Sequence, residues 1–200
     1  PLMTTSTGDV VTDADGKAIT ASKEFTPETS SGSVDVEATF DSTTLTSVTC
    51  FEQCKLDGSI VAKHEDITDT DQTVTYPRIG TTAVDKADGD HTVDGTSTSV
   101  TVIDTVSYDG LKPGVTYVVT GTLMDQATGE AVEIDGKPVT GTATFTPDKS
   151  SGSVEVAFNF DATKVAGKTL VAFEDVSTGD TKVATHADIT DSAQTVTVTT

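Results

Sequence analysis

The feature that most constrains this chain is a stretch that occurs in it twice. His64-Glu-Asp-Ile-Thr-Asp-Thr-Asp-Gln72-Thr-Val returns as His186-Ala-Asp-Ile-Thr-Asp-Ser-Ala-Gln194-Thr-Val. The correspondence runs upstream in order. Thr7-Gly8 matches Thr128-Gly129, Asp15-Gly-Lys17 matches Asp135-Gly-Lys137, and Phe25-Thr-Pro matches Phe145-Thr-Pro; Ser31-Gly-Ser-Val34 matches Ser151-Gly-Ser-Val154, and Phe51-Glu52 matches Phe173-Glu174. The offset drifts only from 120 to 122 residues, so insertions are confined to loops and the chain reads as a tandem array of one module. Leu2-Met3 aligns with Leu123-Met124, which places the counterparts of residues 79–121 upstream of residue 1. Residues 1–76 are therefore expected to be the C-terminal part of a module lacking its first strands, and residues 77–200 a complete one. Exposed sheet edges invite pairing. The expected partners are neighbouring modules and, unless the first strands were simply cut away from this piece, a separate N-terminal fragment completing residues 1–76.

Thr, Ser, Val, Gly and Asp dominate, Trp is absent, and apolar residues alternate with polar ones, so the expected class is all-β, built of antiparallel sheets. Val34, Val36, Ala38 and Phe40 fall on one face of an expected strand, and Val48-Thr-Cys-Phe-Glu52 forms another that carries an acid in a core-like setting. The net charge of -20 is spread along the chain as a solvated surface and argues against nucleic acid, whose binding rests on Lys and Arg. No apolar run approaches the ~20 residues of a membrane span and no signal-peptide pattern opens the chain, so it reads as a soluble piece of something longer.

Cys50 and Cys54 are the only cysteines. On an extended segment their Cα atoms stand roughly 13 Å apart, beyond the ~7 Å reach of a disulfide, so free thiols are expected unless the chain turns just after Glu52. Asp13-Ala-Asp-Gly16 opens like a calcium loop but lacks the later ligands and the closing Glu, and reads as a plain turn. No cofactor and no metal-ligand set is called for.

Within the complete module the scarce reactive groups are Thr81 and Thr82 on the first strand, Asp104 on the second, then Glu174, His186 and, at the last strand, Gln194. In a sandwich the first and last strands commonly lie side by side, which would bring a threonine hydroxyl to a glutamine carboxamide. Histidine is suited to take the hydroxyl proton near neutral pH. Two carboxyls held together cannot both ionise, so an Asp104–Glu174 pair would keep a proton to donate. The product would be a Thr–Gln ester, with release of ammonia. Taken singly, each residue has an ordinary reading: His186 in a loop, Glu174 in an ion pair, Asp104 as a turn former. The recurrence of Glu, His and Gln together in both copies weighs for the ester.

The ordered set Ile79-Gly-Thr-Thr-Ala-Val-Asp85, Asp104-Thr-Val-Ser-Tyr-x-x-Leu-x-Pro-Gly114, Tyr117…Gly121-Thr-Leu, Phe145-Thr-Pro, Gly152-Ser-Val, Phe173-Glu174 and His186-x-Asp-x-x-x-x-x-Gln194-Thr-Val resembles the Thr–Gln ester-bond domains of Gram-positive surface adhesins. The resemblance covers residues 79–198, and its later half recurs over 2–76. It implies tandem immunoglobulin-like antiparallel β-sandwiches, the first copy incomplete. It also implies an autocatalytic crosslink between first and last strands, Thr81 with Gln194, assisted by Asp104, Glu174 and His186, in stalks displayed outside the cell and attached to the wall. Thr81 is preferred to Thr82 for its place after Ile-Gly, and alternation sets Thr81, Ala83 and Asp85 on one face. Residues 1–76 keep Glu52, His64 and Gln72 but have no Thr or Asp counterpart, so Gln72 would need a threonine from another chain or fragment.

Two other readings compete. A ligand-binding adhesin domain without crosslink would need a recognition surface, and no aromatic cluster offers one. A turnover hydrolase would need an accessible, Gly-framed nucleophile, which is missing. A Lys–Asn isopeptide link is disfavoured because the first strand has no lysine before Lys86.

Overall fold

The structure is a computed structural model that describes residues 1–42 and 44–200. The chain divides into two compact units, Pro1–Tyr76 and Pro77–Thr200.

Unit one carries β1 (Leu2–Thr4), β2 (Ser47–Cys50), β3 (Glu52–Leu56), β4 (Ser59–His64) and β5 (Thr73–Thr75). Strands β1, β2 and β5 form a three-stranded antiparallel sheet over a small core of Leu2, Val11 and Val48. Phe40 and Tyr76 meet edge to face at its border, ring centres 6.3 Å apart. Strands β3 and β4 form a separate hairpin, turned by Asp57 and Gly58 in the left-handed region. Cys50 is half-buried, Cys54 is exposed, and both are free thiols.

Two expectations for unit one need correction. Residues 34–40 form no strand, and Val34 and Val36 are exposed. Their counterparts in unit two lie on a strand paired along its whole length with a neighbour that unit one lacks among its described residues. An extended segment with no ladder partner leaves its backbone to water. The strand expected over Val48–Glu52 is interrupted at Phe51, whose N–H is drawn 3.0 Å from Pro1 O, and Glu52 is exposed.

Unit two is a β-sandwich. It runs β6 (Arg78–Asp85), β7 (Thr92–Val93), β8 (Val100–Asp109), β9 (Tyr117–Asp125), β10 (Glu133–Ile134), β11 (Lys137–Pro138), β12 (Thr140–Phe145), β13 (Gly152–Phe160), β14 (Thr169–Thr178), β15 (Thr181–His186) and β16 (Thr195–Val198). One sheet is ordered β12-β9-β14-β16-β7, with β15 also paired to β14; the other is ordered β13-β8-β6. Period-two alternation builds both faces of the core: Val102 and Val106 on β8, Val119 and Leu123 on β9, Phe158 on β13 and Leu170 on β14 are all buried. The all-β class is the one expected from the alternation, and the two-sheet sandwich is the one the resemblance implied.

The terminal strands are not paired with each other. β6 pairs with β8 in one sheet, and β16 pairs with β14 in the other. The edge of β16 is taken instead by β7, in the only parallel pairing among the described strands. The physical reason lies in the segment read from sequence as a Gly/Asp-rich loop. It turns tightly at Asp85–Gly89, with Gly89 at φ 80, and then runs beside β16, where Thr197 N donates to His91 O at 2.8 Å and Thr199 N to Val93 O at 2.9 Å. At Gly95 a Cβ would stand 1.9 Å from Thr199 O, so only glycine permits the approach.

Candidate functional site

On β6 the pleat turns Thr81, Ala83 and Asp85 inward and Thr82 outward. Asp104 sits directly across from Ala83 on β8, fully buried. From the facing sheet β14 sends Glu174 into the same layer, and its neighbours in register are Gly121 on β9 and His186 on β15. Gly121 is a notch: a Cβ there would lie 2.5 Å from the tip of Phe158, so the absent side chain lets that ring fill the layer beside Glu174.

Gln194 arrives on a local scaffold written in the repeated motif. Asp188 accepts from Thr190 N at 2.9 Å, closing one turn. Asp191 then caps the 3-10 turn Ser192–Gln194, its carboxylate accepting from Ala193 N at 2.8 Å, while Thr195 Oγ1 donates to Asp191 O at 2.7 Å. These bonds leave the Gln194 side chain fully buried between the sheets. Its carboxamide donates to Thr81 Oγ1 in a very short contact and to Glu174 Oε2 at 2.8 Å.

The electrostatics of this layer are unusual. As acceptors only, both Asp104 oxygens and Glu174 Oε1 would have no donor, and Gln194 Oε1 also lacks one. A buried carboxylate without a donor is costly. A proton held between the two carboxyls supplies the missing donor. Accordingly burial, followed by the bond to Asp104 and its charge, pushes the Glu174 carboxyl up to about 10. Burial also raises Asp104, offset in part by hydrogen bonding to Glu174 and Thr81.

His186 stands at the margin of this layer, on β15 beside β6. Its Nε2 is bonded to Asp191 Oδ2 at 2.9 Å. Asp191 is the residue that sequence reading missed. The signal was present, since Asp69 and Asp191 each follow the repeated histidine by five positions. Unit one reproduces the detail: His64 Nε2 bonds Asp69 Oδ2 at 2.7 Å, Asp69 caps the 3-10 turn Thr70–Gln72, and Thr73 Oγ1 donates to Asp69 O at 2.8 Å. Glu52 lies opposite His64 in register, as Glu174 lies opposite His186.

The structure therefore brings Thr81, Asp104, Glu174 and Gln194 into one dry layer with His186 at its edge. In unit one Glu52 and His64 lie opposite each other on the β3–β4 hairpin and Gln72 ends the 3-10 turn before β5, without a threonine donor or a second carboxyl strand across from them among the described residues. Chemically, the closed site sets a hydroxyl against a carboxamide, beside an acid that holds its proton.

Among solved structures the chain is similar to a bacterial adhesin from Mobiluncus mulieris that contains intramolecular disulfide, isopeptide and ester bond cross-links, seen in two crystal forms. Identity is 18% in both, with TM-scores of 0.52 and 0.54, covering 62% of this chain. The chain spans 57% of that adhesin's length, and at this identity the likeness is one of fold. No curated protein sequence matches. The model of the T-Q ester bond containing domain matches residues 1–76 and again residues 77–198, so the chain belongs to that family.

Proposed function

We propose that unit two crosslinks itself once, through an ester between Thr81 and Gln194, and that the chain serves as a structural stalk region of a bacterial surface adhesin. One observation carries the reading: the buried Gln194 carboxamide donates to Thr81 Oγ1 and to Glu174 in a layer that also buries Asp104 without a donor for its carboxylate oxygens. Thr81 Oγ1 attacks the Gln194 Cδ, its proton passing to a neighbouring base. His186, oriented by Asp191, fills that role, because an imidazole that donates Nε2–H to a carboxylate has its other nitrogen free to accept a proton. Protonated Glu174, 2.8 Å from the amide nitrogen, hands its proton to the leaving group, and Asp104 offsets the charge that develops. Hydroxyl plus carboxamide gives ester plus ammonia, so no cofactor or oxidant is consumed.

The product stays in place. With both partners on one chain and the site sealed between sheets, the reaction is a single turnover and not an enzymatic cycle. The family and the adhesin-like fold support a crosslinked adhesin module. A wall-attached extracellular location and a row of neighbouring modules follow from that role. Intact-mass measurement tests the crosslink, since unit two should weigh about 17 Da less than its sequence through loss of ammonia. A full-weight unit two would end the reading.

A further inference from the structure

His91 is the one histidine of three that lies outside the repeated motif, and the crosslinking chemistry does not use it. It sits on the strap between β6 and β8, one position before β7. The residue is exposed, so packing gives it no role in the core. Its contacts converge instead on the strand that Gln194 leads into. The backbone carbonyl accepts from Thr197 N at 2.8 Å, and ring Nδ1 lies 3.1 Å from Thr195 O, across 104 positions of chain. A carbonyl oxygen only accepts, so Nδ1 carries the hydrogen and donates.

The strap holds the ring in place from both sides. Upstream, Asp85 N donates to Asp90 O at 2.7 Å and the Asp90 carboxylate accepts from Thr92 N at 2.6 Å, closing the chain tightly around His91. Downstream, Val93 is fully buried and Gly95 N donates to Thr199 Oγ1 at 2.9 Å. Thr92 lies opposite Thr197 in the β7–β16 ladder, and in that register the next bond toward Gln194 would run from His91 N–H to Thr195 O. The turn at Asp90 carries the backbone away from that position, and the imidazole Nδ1–H fills it. Thr195 directly follows Gln194; it is also held by its Oγ1 bond to Asp191 O and by its pairing with Val171 of β14. His91 fixes the same residue from the β7 side.

We propose that His91 is a positioning residue for the Thr81–Gln194 crosslink, its imidazole clamping the Thr195 carbonyl so that the Gln194 side chain stays in line with the Thr81 hydroxyl. This role deepens the ester reading of unit two and rests on it. No proton or bond changes hands at His91. Its effect is geometric: attack requires the hydroxyl oxygen and the amide carbon to stay aligned, and a shift of about 1 Å can cost about 10²-fold in rate. Without the clamp the first residue of β16 is free on its β7 edge, and Gln194 spends time in poses where its Cδ does not meet Thr81 Oγ1.

The test follows mass against time as the 200-residue chain refolds from an unfolded, uncrosslinked stock, with the loss of about 17 Da mapped to Thr81 and Gln194. His91→Ala should slow the loss about tenfold or more. His91→Phe keeps a ring but has no donor and should be as slow as His91→Ala, whereas His91→Asn, whose Nδ2–H can take the place of Nδ1–H, should recover the original rate to within about twofold. Thr199→Val removes the acceptor for Gly95 N at the far end of the strap and should leave the rate within about twofold. In the uncrosslinked Thr81→Val background, His91→Ala should speed amide exchange over residues 195–197 about tenfold. An unchanged rate in His91→Ala, a His91→Phe chain as fast as the unaltered one, a His91→Asn chain no faster than His91→Ala, or a Thr199→Val chain as slow as His91→Ala would each overturn the proposal. A full-weight unaltered chain sinks the ester reading and this role with it, whereas a loss of about 17 Da at a rate that His91 does not influence sinks this role alone.

Discussion

Thr81 and Thr82 have the same chemistry and differ only in direction. The pleat of β6 buries the first and exposes the second, so Thr81→Val should restore the missing mass of about 17 Da and Thr82→Val should not. Asp191 acts at one remove. Replacing it with Asn loosens the hold on the His186 ring and should slow bond formation by about 10² to 10⁴ in a mass-resolved time course of freshly refolded protein. The acid pair sets a pH dependence that can be read in the uncrosslinked Thr81→Val variant. Burial and Asp104 raise Glu174 from 4.5 to about 10, so the native state holds a proton that the unfolded chain has released. Stability is therefore full below about pH 4.5 and falls as pH climbs toward about 10, and urea midpoints should drop steadily across that window. A midpoint that rose with pH would contradict the shared proton.

At the scale of elements, the site depends on space as much as on reactive groups. Gly121 faces Glu174 across the β9–β14 ladder and leaves the volume that Phe158 fills. Gly121→Ala places a methyl against that ring and should cost about 1–3 kcal/mol in chemical denaturation. The motif Gly121-Thr-Leu was visible in the sequence, but its reason was not, because the ring comes from β13, more than thirty residues later. The short strand β7 was hidden for a similar reason. Thr92 and Val93 have no alternation to read over so short a span, and they become a strand only because β16 lies beside them. Conversely, residues 34–40 have the alternation of a strand and form none, since a pattern specifies which face is apolar and a ladder needs a neighbour.

For the whole of unit two, the consequence of the bond follows from topology. Thr81 on β6 and Gln194, at the end of the turn that leads into β16, are 113 positions apart, and β6 and β16 belong to different sheets, so their ester would tie the two layers together and not merely reinforce a pair of strands. Closing a loop of that length should stabilise the fold by roughly 4–5 kcal/mol, by analogy with disulfide loop entropy. Under tension, force entering at Pro77 would cross to Gln194 and leave through β16, bypassing everything between. Only residues 77–80 and 195–200 could then straighten, about 35 Å in all, against about 430 Å for the unlinked unit. Single-molecule pulling on unit two and on its Gln194→Ala variant should show that difference in released length.

What the sequence by itself determined was local or periodic: the alternation that makes sheets, the repeat that marks two copies, and the chemical character of Thr81, Asp104, Glu174, His186 and Gln194. Caps and turns such as Asp188 and Asp191 belong to the same class, because their bonds span only a few residues and recur with the motif. The tertiary structure decided which strands are neighbours. It put β6 and β16 in separate sheets and set the Glu174 carboxyl against the Gln194 amide in a layer shared with Asp104. Such contacts join positions far apart in the chain, and their geometry arises only when the packed layers meet, since no short-range pattern encodes a distance across a core.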